Sequence, residues 1–176
     1  MPALLARTPL RRGARVSGVS STDMSFKDMT NETLKVFEHL TGSGSKSSIE
    51  LSLLSGHLLI ESAIKILLEK KLEKPSSINL ERMKFDQTQR WLRAIMGDSE
   101  FNWQWEAIIK LNKLRNAFAH KLEKPDFQKD IDEFIDFVKK NHSHEYFKTN
   151  FSKKEKLVWA ITSVHTHLMG ALQNEN

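Results

Sequence analysis

One segment, residues 47–74, constrains this chain more than any other. Leu51, Leu54, Leu58, Ile60, Ala63, Ile64, Leu67 and Leu68 recur along it at helical spacing and cover more than half of a helix's circumference. A helix that apolar is stable in water only when other helices surround it, so it predicts a central position in a helical bundle. Its ends are marked. Ser47-Ser48-Ile49-Glu50 has the spacing of a capping box, in which a serine hydroxyl and a glutamate each satisfy an orphan amide, and Pro75 stops the helix after Lys74.

The same periodicity continues on both sides. A short first helix is expected over 31–40, with Leu34, Phe37 and Leu40 on one side, followed by a flexible break at 42–45. A connection over 76–83, with room for one helical turn, leads to a helix from Phe85 to Met96. That helix turns Trp91, Leu92 and Ile95 inward and ends at Gly97. A helix over 101–122 is bounded by Pro125, and the next, over 126–140, packs Phe127, Ile131, Phe134, Ile135 and Val138. After a loop at 141–151, a second capping box, Ser152 to Glu155, opens a last helix to about Leu172. No segment of useful length has strand period and no internal repeat appears. The expected fold is an all-α bundle of about five to six helices, one domain over 30–176.

Composition narrows the function. The chain has 176 residues and no cysteine, which rules out a disulfide framework and a thiolate metal site and suits a reducing, cytoplasmic setting. The apolar run around Leu58-Leu59-Ile60 is broken by Glu61 and Lys65, short of the roughly 20 apolar residues of a spanning helix, so no membrane association is expected. Of the net charge of +5, residues 1–23 hold +3, four arginines against Asp23, which leaves +2 for the remainder. Basicity is therefore weak evidence that the folded part binds nucleic acid. Residues 1–29 stand apart from the fold. Their Arg-, Ser- and Ala-rich opening reads as a basic disordered arm, as a transit peptide, or as an upstream start with Met24 opening the functional chain.

The helix over 101–122 is the most informative chemically. At about 100° per residue, Ala107, Leu111, Leu114, Phe118 and Leu122 fall within an arc of about 80°, the core face. Asn112, Asn116 and His120, spaced i, i+4, i+8, line a second face with Trp105 and Ile109. Arg115 sits on the border. Lysine and glutamate would fill a merely solvated face. A face of Trp, Ile, Asn and His either packs within the same bundle or meets a second copy of the chain. An imidazole can give and take a proton in phosphodiester cleavage, and a guanidinium can hold a phosphate. Arg115 and His120 lie about 140° apart on one helix. They converge poorly within one chain but can converge across a symmetric dimer.

The stretch Leu111-Asn112-Lys113-Leu114-Arg115-Asn116-Ala117-Phe118-Ala119-His120 resembles the hallmark of the HEPN superfamily: Arg, a polar residue such as Asn, then three to five residues and His, late in a helical bundle. The upstream context, Leu58 to Leu68 with its internal Glu61 and then Phe85 and Trp91-Leu92, is similar too, so the likeness spans roughly 47–140. The resemblance implies a HEPN-like bundle that dimerises. It implies a metal-independent endoribonuclease with no cofactor, acting as a toxin of a toxin–antitoxin or phage-defence system. Arg115 and His120 would be the active pair and Asn116 their polar accessory. RNA would be the substrate, and a second copy and an antitoxin protein the partners. Inactive HEPN-like and mannitol-operon-regulator-like proteins share the layout and bind partners instead of cutting RNA.

Other residue types in the chain also bear on its chemistry. Asn112 is a candidate substrate-binding or orienting residue. Glu61, four residues after His57, is either an ordinary helical pair near the bundle edge or a carboxylate that reaches and orients Arg115. His165 and His167 point to opposite sides of a helix and cannot chelate together, and no acid cluster completes a site at His142 and His144, so no metal is expected. Trp91, Trp103, Trp105 and Trp159 read as core or interface. Lys70-Lys71, Lys139-Lys140 and Lys153-Lys154 read as solvated helix ends. Glycine-rich phosphate loops, a Gly-x-Ser-x-Gly elbow and HExxH are absent from the sequence.

Overall fold

The structure, a computed structural model, describes residues 31–42, 48–97, 102–120, 126–142 and 150–171. Over these it is all helical, with no strand. The chain forms α1 (Asn31–Thr41), α2 (Ile49–Lys71), two short 3-10 turns (Pro75–Ser77 and Leu80–Arg82), α3 (Phe85–Met96), α4 (Asn102–Ala119), α5 (Phe127–Asn141) and α6 (Lys153–Gly170). Residues 1–29, Ser47, Leu122 and His144 and the side chains of Leu34 and Phe37 lie outside the described residues.

α2 is central, packing against α1, α3, α4 and most extensively α6. Its start differs by one residue from the capping box read in the sequence. Ser48 is the N-cap, and its Oγ accepts the Leu51 amide at 3.2 Å. That register puts Leu51, not a glutamate, at the third helical position, so no reciprocal arm forms. The helix ends at Lys71, earlier than Lys74, with Leu72 already extended ahead of Pro75. By length and mean hydropathy, 1.6 over its best window, α2 is long and apolar enough to cross a membrane, and half of that window is buried within the bundle. This corrects the expectation that Glu61 and Lys65 would rule out such a stretch. The two charges pair with each other at 3.2 Å and are outweighed by the leucines and isoleucines around them.

The inward side of α2 also differs from the sequence reading. Ile60, Ala63, Ile64, Leu67 and Leu68 are buried as expected, but Leu51 and Leu58 are 55 % and 65 % exposed. Ser52, Gly56 and His57 are buried in their place. Each has a reason on another helix. Ser52 Oγ donates to the Leu40 carbonyl at 3.0 Å, at the end of α1. Gly56 lets α6 approach: a Cβ there would sit 2.6 Å from Ile161 Cδ1 and 2.9 Å from its Cγ2. Overpacking of this kind costs about 1–3 kcal/mol. An alanine gains at most about 1 kcal/mol of helix propensity. Gly56→Ala is therefore expected to lower the urea midpoint, and Ile161→Val in the same chain to recover part of the loss.

α5 buries Phe127, Ile131, Phe134, Ile135 and Val138, the five residues expected. α6 opens on the predicted capping box, with the Ser152 amide donating to Glu155 Oε2 at 2.7 Å and Ser152 Oγ accepting the Glu155 amide at 3.3 Å. Lys153 and Lys154 are more than a solvated end. Lys153 pairs with Asp132 of α5 at 2.8 Å, and Lys154 donates to the terminal Thr41 carbonyl of α1. In α3, Leu92 is buried, whereas Trp91 and Ile95 are 47 % and 41 % exposed. The inward positions go to Thr88 and Gln89 instead, and Thr88 is accommodated because its hydroxyl donates to the Phe85 carbonyl at 2.8 Å.

Candidate active site

α4 is held in the core by Trp105, Ala107, Ile108, Leu111 and Leu114, all buried and all before Arg115. Trp105 is 1 % exposed, and its indole N–H donates to the Gly97 carbonyl at 3.2 Å, tying α4 to the end of α3. The second face of the helix is thus not uniform. It begins in the core at Trp105, is half-buried at Ile109 and Asn112, and reaches solvent at Asn116 and His120. Only its carboxy-terminal part is available to a ligand or another chain.

Arg115, Asn116 and His120 are all exposed. Arg115 Nη1 donates to Asn116 Oδ1 at 3.1 Å. His120 lies just past the last helical residue, and its amide still donates to the Asn116 carbonyl at 3.2 Å. That bond holds the His120 backbone in register with α4. Asn116 and His120 line a groove of about 530 Å³ between α4 and α5, together with Lys110, Lys113, Asp130 and Glu133 over a floor of Leu114, Ala117 and Phe134. Arg115 is not among the lining residues. The structure therefore groups Asn116 with both neighbours but leaves Arg115 on a different side of α4 from the groove that holds His120.

The Arg115 charge is instead felt by a buried histidine of α2. His57 of α2 is 4 % exposed, its ring centroid 4.4 Å from that of Phe85. Its Nε2 lies 3.2 Å from Asn112 Oδ1. An amide oxygen only accepts, so this contact places the His57 proton on Nε2. Burial pushes the His57 imidazole below its ordinary range; the Asn112 hydrogen bond opposes this, the Arg115 charge adds to it, and the Glu61 charge opposes it. His57 is thus a core residue and not an edge pair of Glu61. Glu61 bonds Lys65, and among the described residues it makes no ion pair with Arg115. Asn112, a candidate orienting residue, is engaged by His57 one turn before Arg115. Asn112→Ala is expected to cost about 1–2 kcal/mol, because it leaves the buried His57 N–H unpaired. Chemical denaturation of the variant beside the unaltered chain measures it.

Two further histidines, His142 and His167, meet elsewhere. His142, at the end of α5, lies between the indoles of Trp103 and Trp159, at 5.8 and 5.5 Å, and meets the His167 ring edge-on at 4.7 Å. Burial pushes His165 down to about 4 and lowers His167 as well. Among the described residues no group of three or more His, Cys, Asp or Glu is placed to hold a metal ion. The Lys113 and Asp130 walls of the groove were not singled out in the sequence, where each reads as an ordinary surface charge.

The chain matches no protein-family model, and no curated protein and no solved structure is significantly similar to it.

Proposed function

We propose that this protein is a metal-independent endoribonuclease of HEPN type, a toxin of a toxin–antitoxin or phage-defence system, cutting RNA at a composite site in a homodimer. The observation that carries this reading is the exposed carboxy-terminal end of α4, where Arg115, Asn116 and His120 all reach solvent and the latter two line a groove. None of the three is needed for the core, yet their residue types supply what phosphodiester cleavage requires. His120 takes the proton from a ribose 2′-hydroxyl, which attacks the adjacent phosphorus. The bond to the 5′-oxygen breaks, and a second imidazolium returns a proton to that leaving oxygen. The products are a 2′,3′-cyclic phosphate and a 5′-hydroxyl. Arg115 offsets the charge that builds on the phosphoryl oxygens, and Asn116, already bonded to Arg115, orients it.

Two imidazoles and a convergent guanidinium come from two chains. Arg115 points away from the groove of its own His120, so a partner's Arg115 completes the site. The test is cleavage of RNA by the purified protein in EDTA, with product ends identified. Mixing the unaltered chain with His120→Ala subunits in equal amounts is expected to leave about a quarter of the activity and not half, since only dimers of two unaltered chains then hold both imidazoles. Intact RNA from a folded dimer sinks the reading.

A second reading is favoured by the exposed Leu51, Leu58, Trp91 and Ile95. A non-catalytic, mannitol-operon-regulator-like interaction module would use such surface for a partner and keep Arg115 and His120 as polar interface residues. Harmless expression in bacteria and a stable complex that survives His120→Ala would favour it.

A further inference from the structure

The α4–α5 groove has an unusual charge arrangement. Lys113, Asn116 and His120 fall at i, i+3 and i+7 and form one wall. Asp130 and Glu133 of α5 form the other. Of the four Lys, Asp and Glu residues that line this groove, two are already paired: Lys110 with Glu106 at 3.5 Å, and Glu133 with Lys129 at 3.9 Å. Lys113 and Asp130 are the exceptions. They line the same groove from opposite walls, and among the described residues neither is in an ion pair, with each other or with a third group. An ammonium and a carboxylate that face one space without meeting leave room for a ligand that is anionic at one edge and hydrogen-bond-donating at the other. The floor between them, Ala117 and Phe134, is apolar.

We infer that this groove is a nucleotide subsite, which takes one residue of the RNA with its phosphate on Lys113 and its base edge on Asp130, and that it favours guanine. The choice of a nucleotide rests on the ribonuclease reading above; the choice of base rests on the groove. The volume of about 530 Å³ suits a ligand of this size. A carboxylate offers two acceptor oxygens and no donor. The guanine edge presents two adjacent donors, N1–H and N2–H, which match it. Adenine and cytosine each present one amino donor beside an acceptor lone pair, and uracil presents one donor between two carbonyl oxygens that repel the carboxylate. The phosphate is then held one turn from Asn116, on the side of α4 that carries His120.

The experiment is binding of short oligonucleotides that lack the attacking 2′-hydroxyl, so that affinity is read without cleavage. Full-length protein is titrated with deoxy-substituted trinucleotides that differ only in the central base. A preference for guanine over uracil of about tenfold is expected. Asp130→Asn removes that preference, weakening the guanine oligonucleotide and strengthening the uracil one, whose carbonyl oxygens no longer meet a carboxylate. Lys113→Ala weakens all four equally and reduces the steepness of the salt dependence by about 0.7. Equal affinity for all bases overturns the inference, as does a guanine preference that persists in Asp130→Asn. The two readings separate cleanly. RNA cut without base preference leaves the ribonuclease standing and removes the subsite, whereas guanine-selective binding with intact RNA keeps the subsite and removes the ribonuclease.

Discussion

A His120→Ala chain is expected to lose RNA cleavage by about 10²–10⁴-fold, the range that a general acid–base group contributes, and to melt where the unaltered protein melts. Both halves follow from where His120 sits. It is exposed, past the end of α4, and among the described residues its side chain supports no core contact, so its removal leaves the packing of Leu111 and Leu114 unchanged. Paired measurement of cleavage rate and melting temperature checks the prediction. A large drop in melting temperature would make His120 structural, and an unchanged rate would remove it from the chemistry. Arg115→Lys is the matching probe. A lysine keeps the charge but not the planar fork, so a loss in this variant identifies two-pronged phosphate binding and not charge alone.

Acid is expected to destabilise this protein between pH 6.5 and 4. His165 ionises at about 4 in the folded chain against an ordinary value of 6.5, because it is buried and its Nδ1 has no hydrogen-bond partner among the described residues. His167 and His57 are lowered for the same first reason, partly opposed by hydrogen bonds to the Ser163 carbonyl and to Asn112. The unfolded chain takes up protons on these residues near 6.5, whereas the folded chain does not. Protons therefore favour the unfolded state throughout the interval below 6.5. Stability is full above that value and falls as the pH drops toward 4, by on the order of 3 kcal/mol from His165 alone. Urea unfolding at pH 7 and pH 4.5 measures the loss, and His165→Gln is expected to flatten it. A midpoint that does not move between the two pH values would sink the idea.

What the sequence made legible depended on whether the information was local. The limits of α3 follow from residues within a turn of each end. Lys84 donates its amide to Gln87 at 3.0 Å, and Gly97 takes a positive φ that ends the helix. The Ser152–Glu155 box and the buried stripe of α5 are local in the same way. The inward side of α2 was not legible, because apolar residues surround it and leave its phase undetermined. Its phase is set instead by Ser52, Gly56 and His57, whose partners are Leu40 on α1, Ile161 on α6 and Asn112 on α4. Trp91 and Ile95 misled for a related reason: α3 carries a wide apolar arc, of which the bundle covers only one side. At the candidate site, the residue types of α4 pointed to phosphate chemistry. The groove did not appear in the sequence, since its second wall comes from Asp130 and Glu133 on a different helix.

The gradient along α4, from the sealed Trp105 to the solvent-facing His120, has a consequence for how such a protein can change over time. The part of the helix that specifies the bundle and the part that carries Arg115, Asn116 and His120 do not share residues. Substitutions at exposed positions without core contacts usually shift stability by less than about 0.5 kcal/mol. The chemistry at this tip can therefore be lost, regained or redirected by single changes that selection for folding does not oppose. Chains with and without the full set of Arg115, Asn116 and His120 stand one substitution apart within the same bundle, and the fold does not choose between them.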